Sequence, residues 1–124
     1  MRRVVDAMNV IGSRPDGWWR DRSGAIERLV ELLDRWAAES GEELAVVLEH
    51  PPRRPPSAER VEVVWAPRPG RDSADGEILR RLGDWLDTDE VTVVTSDRVL
   101  AERARSLGAS VEPASAFRLR IERS

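Results

Sequence analysis

Short apolar runs alternate along the chain with longer segments in which apolar residues recur every three or four positions. The short runs have the length of buried β-strands, and the longer segments have the period of amphipathic helices. Strands are predicted at residues 3–7, 44–48, 61–65, 91–95 and 109–111. Helices are predicted at residues 25–39, 74–86 and 99–107, with Gly41 and Gly108 as helix stops. Strands that alternate with helices predict a parallel sheet wrapped by helices.

The remaining segments are predicted loops, except for the segment after Pro113. Residues 12–23 and 67–71 are rich in Gly, Pro and Arg, and four prolines between residues 51 and 56 forbid regular structure there. After Pro113 two interpretations stay open, because Phe117, Leu119 and Ile121 alternate like an edge strand in a segment that also fits a helix. No repeat and no domain boundary is visible, so residues 1–124 are expected to form one domain.

The composition excludes several classes of site. The chain has no Cys, which excludes a disulfide framework and a thiolate metal site, and its single His50 cannot build a histidine-based zinc site. No Gly-x-Ser-x-Gly motif accompanies that histidine. No apolar run approaches the roughly 20 residues that span a bilayer, and no signal peptide is visible at the start. A soluble cytoplasmic protein without a membrane partner is expected.

Acidic side chains follow the predicted strands. In a parallel sheet the carboxyl ends of all strands lie at one edge, where ligands bind. The residues that leave the strands there are Asp6 and Asn9 after the first, Glu49 after the second, Asp72 and Asp75 after the third, and Thr95, Ser96 and Asp97 at the end of the fourth. Carboxylates gathered at one place repel one another, and a hard divalent cation such as Mg²⁺ removes that cost.

Several of the residues at this edge, and Glu77 in the helix that follows, also have an ordinary structural explanation. Asp97 suits the N-cap of the next helix, Asp75 suits a first helical turn, and Glu77 suits a solvated helix position. Asn9, the only Asn of the chain, suits a turn. A lone Asp that closes a buried strand, as Asp6 does, is uncommon without a partner. Because these acidic and polar residues are all expected at one edge of the sheet, together they favour a metal site that cleaves phosphodiesters.

Arginines accumulate on the loops of the same edge. The net charge of −3 argues against a nonspecific nucleic-acid binder, yet all basic residues are Arg and none is Lys. Genomic base composition explains such a bias, so the positions of the arginines carry more weight than their number. The candidates for RNA contacts are Arg14, Arg20, Arg53, Arg68 and Arg71, with Trp18 of the Trp18–Trp19 pair for base stacking.

Three motifs resemble those of one protein family. Val-Val-Asp-Ala-Met-Asn-Val-Ile-Gly at 4–12 is similar to the Asp-Gly-Tyr-Asn-Val-Ile opening of NYN domains in the YacP-like branch of the PIN-like nucleases. Ser-Ala-Asp-Gly-Glu-Ile-Leu at 73–79 resembles the Ala-Asp-Asp segment, and Val-Thr-Val-Val-Thr-Ser-Asp at 91–97 resembles the fourth strand with Thr-Ser-Asp. The resemblance implies a three-layer α/β/α PIN-like domain with a central, mainly parallel sheet and metal-dependent ribonuclease activity.

The resemblance also implies a set of site residues. Asp6, Asp75 and Asp97 correspond to the catalytic and metal-binding acids, with Mg²⁺ or Mn²⁺ as cofactor and Asn9 as a supporting catalytic residue. The residues expected around them are Glu49, Asp72, Glu77, Thr95 and Ser96.

Two functions stay open. The first is a ribonuclease that acts on single-stranded or loop RNA, which the intact Asp6, Asp75 and Asp97 favour. The second is a catalytically weak RNA-binding or ribosome-associated module, which Gly76 in place of the family's second acid and a short C-terminus favour. A phosphatase of the haloacid dehalogenase type fails, since Met8 stands where that class needs a second Asp.

Overall fold

The computed structural model describes residues 1–49, 56, 58–68, 70 and 73–123. The strands are β1 (Arg2–Asp6), β2 (Glu43–Leu48), β3 (Val61–Trp65), β4 (Val91–Val94) and β5 (Ser110–Glu112). The helices are α1 (Ala7–Ile11), α2 (Arg22–Ser40), α3 (Ser73–Thr88), α4 (Arg98–Leu107) and α5 (Ala114–Arg123), and a 3₁₀ turn covers Trp18–Arg20. Within these described ranges, no helix is both long and apolar enough to cross a lipid bilayer.

The sheet has the strand order β3-β2-β1-β4-β5, and every pairing in it is parallel. The chain runs outward from β1 through β2 to β3 and then returns to the other side of β1 for β4 and β5. The direction of winding therefore changes between β1 and β4. In open α/β sheets this switch point, at the carboxyl ends of the strands, is where a crevice for ligands forms.

Helices cover both faces of the sheet, as the expected three-layer α/β/α architecture requires. Val5 packs with α1, α2 and α5 in one apolar cluster, and Val4, its neighbour in β1, packs with α3 and α4 in the other. Adjacent residues of a strand point to opposite faces, so a central strand is apolar throughout. Residues 44–48 of β2 are accordingly all buried.

The structure decides the segment that the sequence pattern left open. Residues 114–123 form α5, in which Phe117 and Ile121, one helical turn apart, enter the core while Leu119 stays exposed. A second difference lies after β1, where α1 begins at once and no helix was predicted. The proline segment at 51–55 lies outside the described residues.

Asp34 of α2 ties the helix to the start of β3. Its carboxylate accepts hydrogen bonds from the backbone N–H groups of Glu59, Arg60 and Val61, at 2.7–3.2 Å. Burial acts to raise the pKa of Asp34, but the three N–H donors hold it below its ordinary value of 3.8. An acid whose pKa is lowered by folding stabilises the folded state above its unfolded pKa.

The Asp34→Ala variant is therefore expected to lose about 1–3 kcal/mol of unfolding free energy at pH 7. The loss should shrink as the pH falls below 3.8, because a protonated Asp34 no longer favours the fold. Urea unfolding at several pH values measures both effects. The exposed helix acid Asp84 provides the control, since Asp84→Ala should change stability by less than about 0.5 kcal/mol. Equal stabilities of the two variants would contradict this role of Asp34.

Candidate active site

Asp6 ends the central strand at the switch point between β1 and β4. Its side chain is buried, with 5% of the residue exposed. The hydroxyl of Thr95, which follows β4, donates a hydrogen bond to Asp6 Oδ2 at 3.2 Å, and the backbone N–H of Asn9 donates another to the same carboxyl group. Both donors are neutral groups, so they orient the carboxylate without neutralising its charge.

Two further acids act on Asp6 electrostatically. Burial, followed by the negative charge of Asp75 and, to a smaller extent, of Asp97, raises the pKa of Asp6 to about 7. The hydrogen bonds from Thr95 and Asn9 act in the opposite direction and only partly offset this rise. The carboxyl edge at β1 and β4 is therefore a place of excess negative charge, which favours a bound proton or a cation.

Asp97 has a structural role in addition to its charge. As the N-cap of α4, its Oδ1 accepts the backbone N–H of Leu100 at 3.0 Å. Its own backbone N–H donates to Thr95 Oγ1 at 3.1 Å. The Thr95 hydroxyl thus accepts from Asp97 and donates to Asp6, which couples the ends of β1 and β4. The structural and the functional explanation of Asp97 are compatible.

Asn9 connects α1 to the loop after β4. Its side-chain Oδ1 accepts the backbone N–H of Ser96 at 2.7 Å. The hydroxyl of Ser96 in turn accepts the backbone N–H of Ala114 at 2.9 Å, at the start of α5. These two bonds tie together α1, the loop after β4 and the start of α5, so Asn9 does more than stabilise its own turn.

Glu49, which follows β2, lies near an arginine. The Glu49 carboxylate lies 3.9 Å from the guanidinium of Arg22, and its backbone carbonyl accepts the hydroxyl of Ser73 at 2.6 Å. That bond anchors the start of α3, whose first turn carries Asp75. Asp72 lies outside the described residues.

Glu77 does not have the solvated position that its place in the sequence suggested. Only 4% of the residue is exposed, because its helix face turns toward the core. Arg80 and Arg81 donate hydrogen bonds to the two carboxylate oxygens at 2.5–3.0 Å. The bond from Arg80, and then that from Arg81, lowers the pKa of Glu77 against the effect of burial. The negative charge of Glu77 is therefore balanced by two arginines of the same helix.

The donor chemistry of the site suits a hydrated divalent ion. Among the described residues, no group of three or more Asp, Glu or His side chains is arranged to hold a metal ion directly. Mg²⁺ does not require such a group, since it keeps several waters and binds through one or two carboxylates. The raised pKa of Asp6, to which the charges of Asp75 and Asp97 contribute, marks carboxylates whose charge a cation would neutralise. The residues present therefore fit Mg²⁺ or Mn²⁺.

The loop residues expected to contact RNA differ in their surroundings. Arg14 pairs with Glu122 of α5 through two bonds of 2.5 and 2.8 Å, and Trp18 is half-buried against the core with the Arg22 guanidinium 5.6 Å from its ring. Trp19, by contrast, is 53% exposed. Arg20 and Arg68 are exposed, whereas Arg53 and Arg71 lie outside the described residues.

An open groove lies beside Asn9, with a volume of about 410 Å³. We call it the serine groove, and its lining residues are Met8, Asn9, Gly12, Ser13, Ser96 and Ser115. Sequence reasoning missed Ser13 and Ser115. No motif marks them, because they come from the loop after α1 and from α5, which only the folded chain brings together.

Comparisons with known proteins identify the family and the fold of the chain. The sequence matches the YacP-like NYN domain family over residues 3–124. Two crystal structures of Rae1 (YacP) from Bacillus subtilis, the first of a mutant, superimpose with TM-scores of 0.79 and 0.76. Each is 22% identical, and the alignments cover 99% of this chain and 77% and 76% of those chains. A search of curated protein sequences gives no significant match. At this identity the structural likeness shows a shared fold.

Proposed function

The chain belongs to the YacP-like NYN domain family, a nuclease-type family, and on this premise we propose that it is a metal-dependent ribonuclease acting on single-stranded or loop RNA. The observation that carries the proposal is the buried Asp6 at the switch point of the sheet. Burial and the charges of Asp75 and Asp97 raise its pKa to about 7. Excess negative charge at the position where α/β folds bind ligands is an arrangement that a divalent ion would stabilise.

Asp6, Asp75 and Asp97 are the residues that would hold Mg²⁺ or Mn²⁺, one or two of them directly and the others through water bound to the ion. When bound, such an ion supplies activation of water and stabilisation of the negative charge that develops during phosphodiester cleavage. The other residues act by positioning. Thr95 orients the Asp6 carboxylate through its hydroxyl, and Asn9 holds the loop after β4 so that Asp97 stays beside β1.

RNA would approach over the loops at this edge. Arg20 and Arg68 are exposed there, and the open ring of Trp19 offers a surface on which a base can stack. Local positive potential is sufficient to attract the RNA backbone even though the net charge is −3.

Cleavage is expected to require a divalent ion. A panel of end-labelled RNAs, single-stranded, hairpin and duplex, is incubated with Mg²⁺, with Mn²⁺, or with excess chelator, and the products are resolved by gel. Cleavage in either metal and none in chelator is the expected result. The bound ion would activate water and stabilise developing negative charge, which the neutral hydrogen-bond donors at Asp6 do not do. Full activity in chelator would contradict the metal mechanism.

The alternative is a catalytically weak RNA-binding module, and Gly76 is the observation that favours it. This residue follows Asp75 directly, and a side chain added there would meet no atom within 4 Å. The same panel therefore includes Gly76→Asp, with Gly83→Asp on the same helix as the control, because Gly83 is equally open. RNA binding without cleavage by the native protein, with cleavage gained only in Gly76→Asp, would establish the alternative.

A further inference from the structure

The serine groove lies beside Asp6, although no acidic residue lines it. Asn9, on its wall, donates its backbone N–H to Asp6, and Ser96 stands between Thr95 and Asp97 in the chain. A molecule in this groove would therefore lie next to anything bound at Asp6. Its volume of about 410 Å³ falls within the range of about 300–1,000 Å³ that is usual for small-ligand sites.

The lining of the groove is polar but uncharged. It consists of three hydroxyls, one amide, a glycine and the side chain of Met8. Part of this polarity is already used, since Ser13 donates to the carbonyl of Val10 at 2.6 Å and Ser96 accepts from Ala114 at 2.9 Å. A phosphate would find no cation among these residues. A ligand with neutral hydrogen-bonding edges and an apolar face suits them better.

We infer that the serine groove binds one unpaired nucleoside of the RNA, next to the phosphate that is cleaved; this inference rests on the proposed ribonuclease function. A nucleoside combines a flat apolar base with neutral donors and acceptors on the base edge and the ribose. A base in a duplex is stacked and paired, and it must leave the helix at a cost of a few kcal/mol before it can enter such a groove. The groove thus selects single-stranded RNA over duplex RNA.

Ser115 offers a substitution that fills the groove from one side. It is exposed in the first turn of α5, whose attachment to the core comes from Ala114, Phe117 and Ile121. Ser110 is the matched control, because it is an exposed serine at the amino end of β5 and therefore at the opposite edge of the sheet. The variants Ser115→Trp and Ser110→Trp make the same chemical change at the two positions.

Cleavage of a labelled single-stranded RNA is measured for both variants, together with a duplex of the same sequence for the native protein. Ser115→Trp is expected to raise KM roughly tenfold, the effect of losing about 1.4 kcal/mol of binding, while Ser110→Trp leaves KM unchanged. The native protein should cleave the single strand at least roughly tenfold faster than the duplex. Thermal melting verifies that each variant is folded. If the tryptophan prevents folding, Ser115→Leu replaces Ser115→Trp.

The outcomes separate the two proposals. Unchanged KM in a folded Ser115 variant, or equal cleavage of single strand and duplex, overturns the nucleoside site while ribonuclease activity stands. A native protein that neither cleaves nor binds any RNA of the panel overturns the proposed function, and the nucleoside site with it.

Discussion

Replacing Asp6 with Asn is expected to abolish RNA cleavage and, at the same time, to stabilise the fold at neutral pH. Folding raises the pKa of this carboxyl group from 3.8 to about 7, because the charged form is buried beside Asp75 and Asp97. A raised acid pKa makes ionisation unfavourable in the folded state, so the protein loses stability as the pH rises from about 4 to 7. Three pKa units correspond to at most about 4 kcal/mol. Asn removes this cost and keeps the side-chain shape.

The test of Asp6→Asn combines activity with stability. Urea unfolding in the presence of chelator, from pH 4 to pH 8, should show a stability gain that grows with pH and levels off above pH 7. The exposed Asp84 serves as the control, since Asp84→Asn makes the same chemical change on the outer surface of α3. Unchanged turnover in Asp6→Asn, or a stability difference that does not depend on pH, would remove Asp6 from the proposed role.

The second large effect is expected at Asp97, where charge and helix capping can be separated. Asn and Asp are about equally good N-cap residues, whereas Ala is a poor one. Asp97→Asn should therefore retain the bond to the Leu100 N–H and the stability of α4, but lower the cleavage rate by roughly 100-fold or more through loss of a charged oxygen ligand. Asp97→Ala should lose the activity and, in addition, about 1 kcal/mol of stability.

Single-turnover cleavage and thermal melting of the two variants measure these effects separately. Ser106, exposed near the other end of the same helix, serves as the control, and Ser106→Ala should affect neither the cleavage rate nor the helix cap. Full activity in Asp97→Asn would mean that this residue acts only as a cap. Asp6 and Asp75 would then have to form the site alone.

The sequence pattern of apolar and polar residues predicted much of the fold, because strands, helices and helix ends depend on local residues and on the parallel topology. Residues 61–65 were predicted as a strand and are β3, and the apolar runs of β1, β2 and β4 reflect burial on both faces of the sheet. Gly41 and Gly108 end their helices with φ of 74° and 109°, a conformation that glycine adopts without steric cost. The parallel topology alone placed the ends of β1 and β4 at one edge, which brought Asp6 and Asp97 into the same hypothesis.

Only the tertiary structure decided which partners the polar side chains meet. Arg14 is held by Glu122 and Arg118 by Asp16, each more than a hundred positions away in the chain. Glu77 is buried by the packing of α3, although its partners Arg80 and Arg81 lie within one turn of the same helix. Periodicity shows which face of an element is apolar, but it does not show which distant charge will lie opposite a polar residue. The same reason applies to α5 and the serine groove, since packing of Phe117 and Ile121 against α2 and the sheet, rather than any local signal, brings Ser115 beside Asn9.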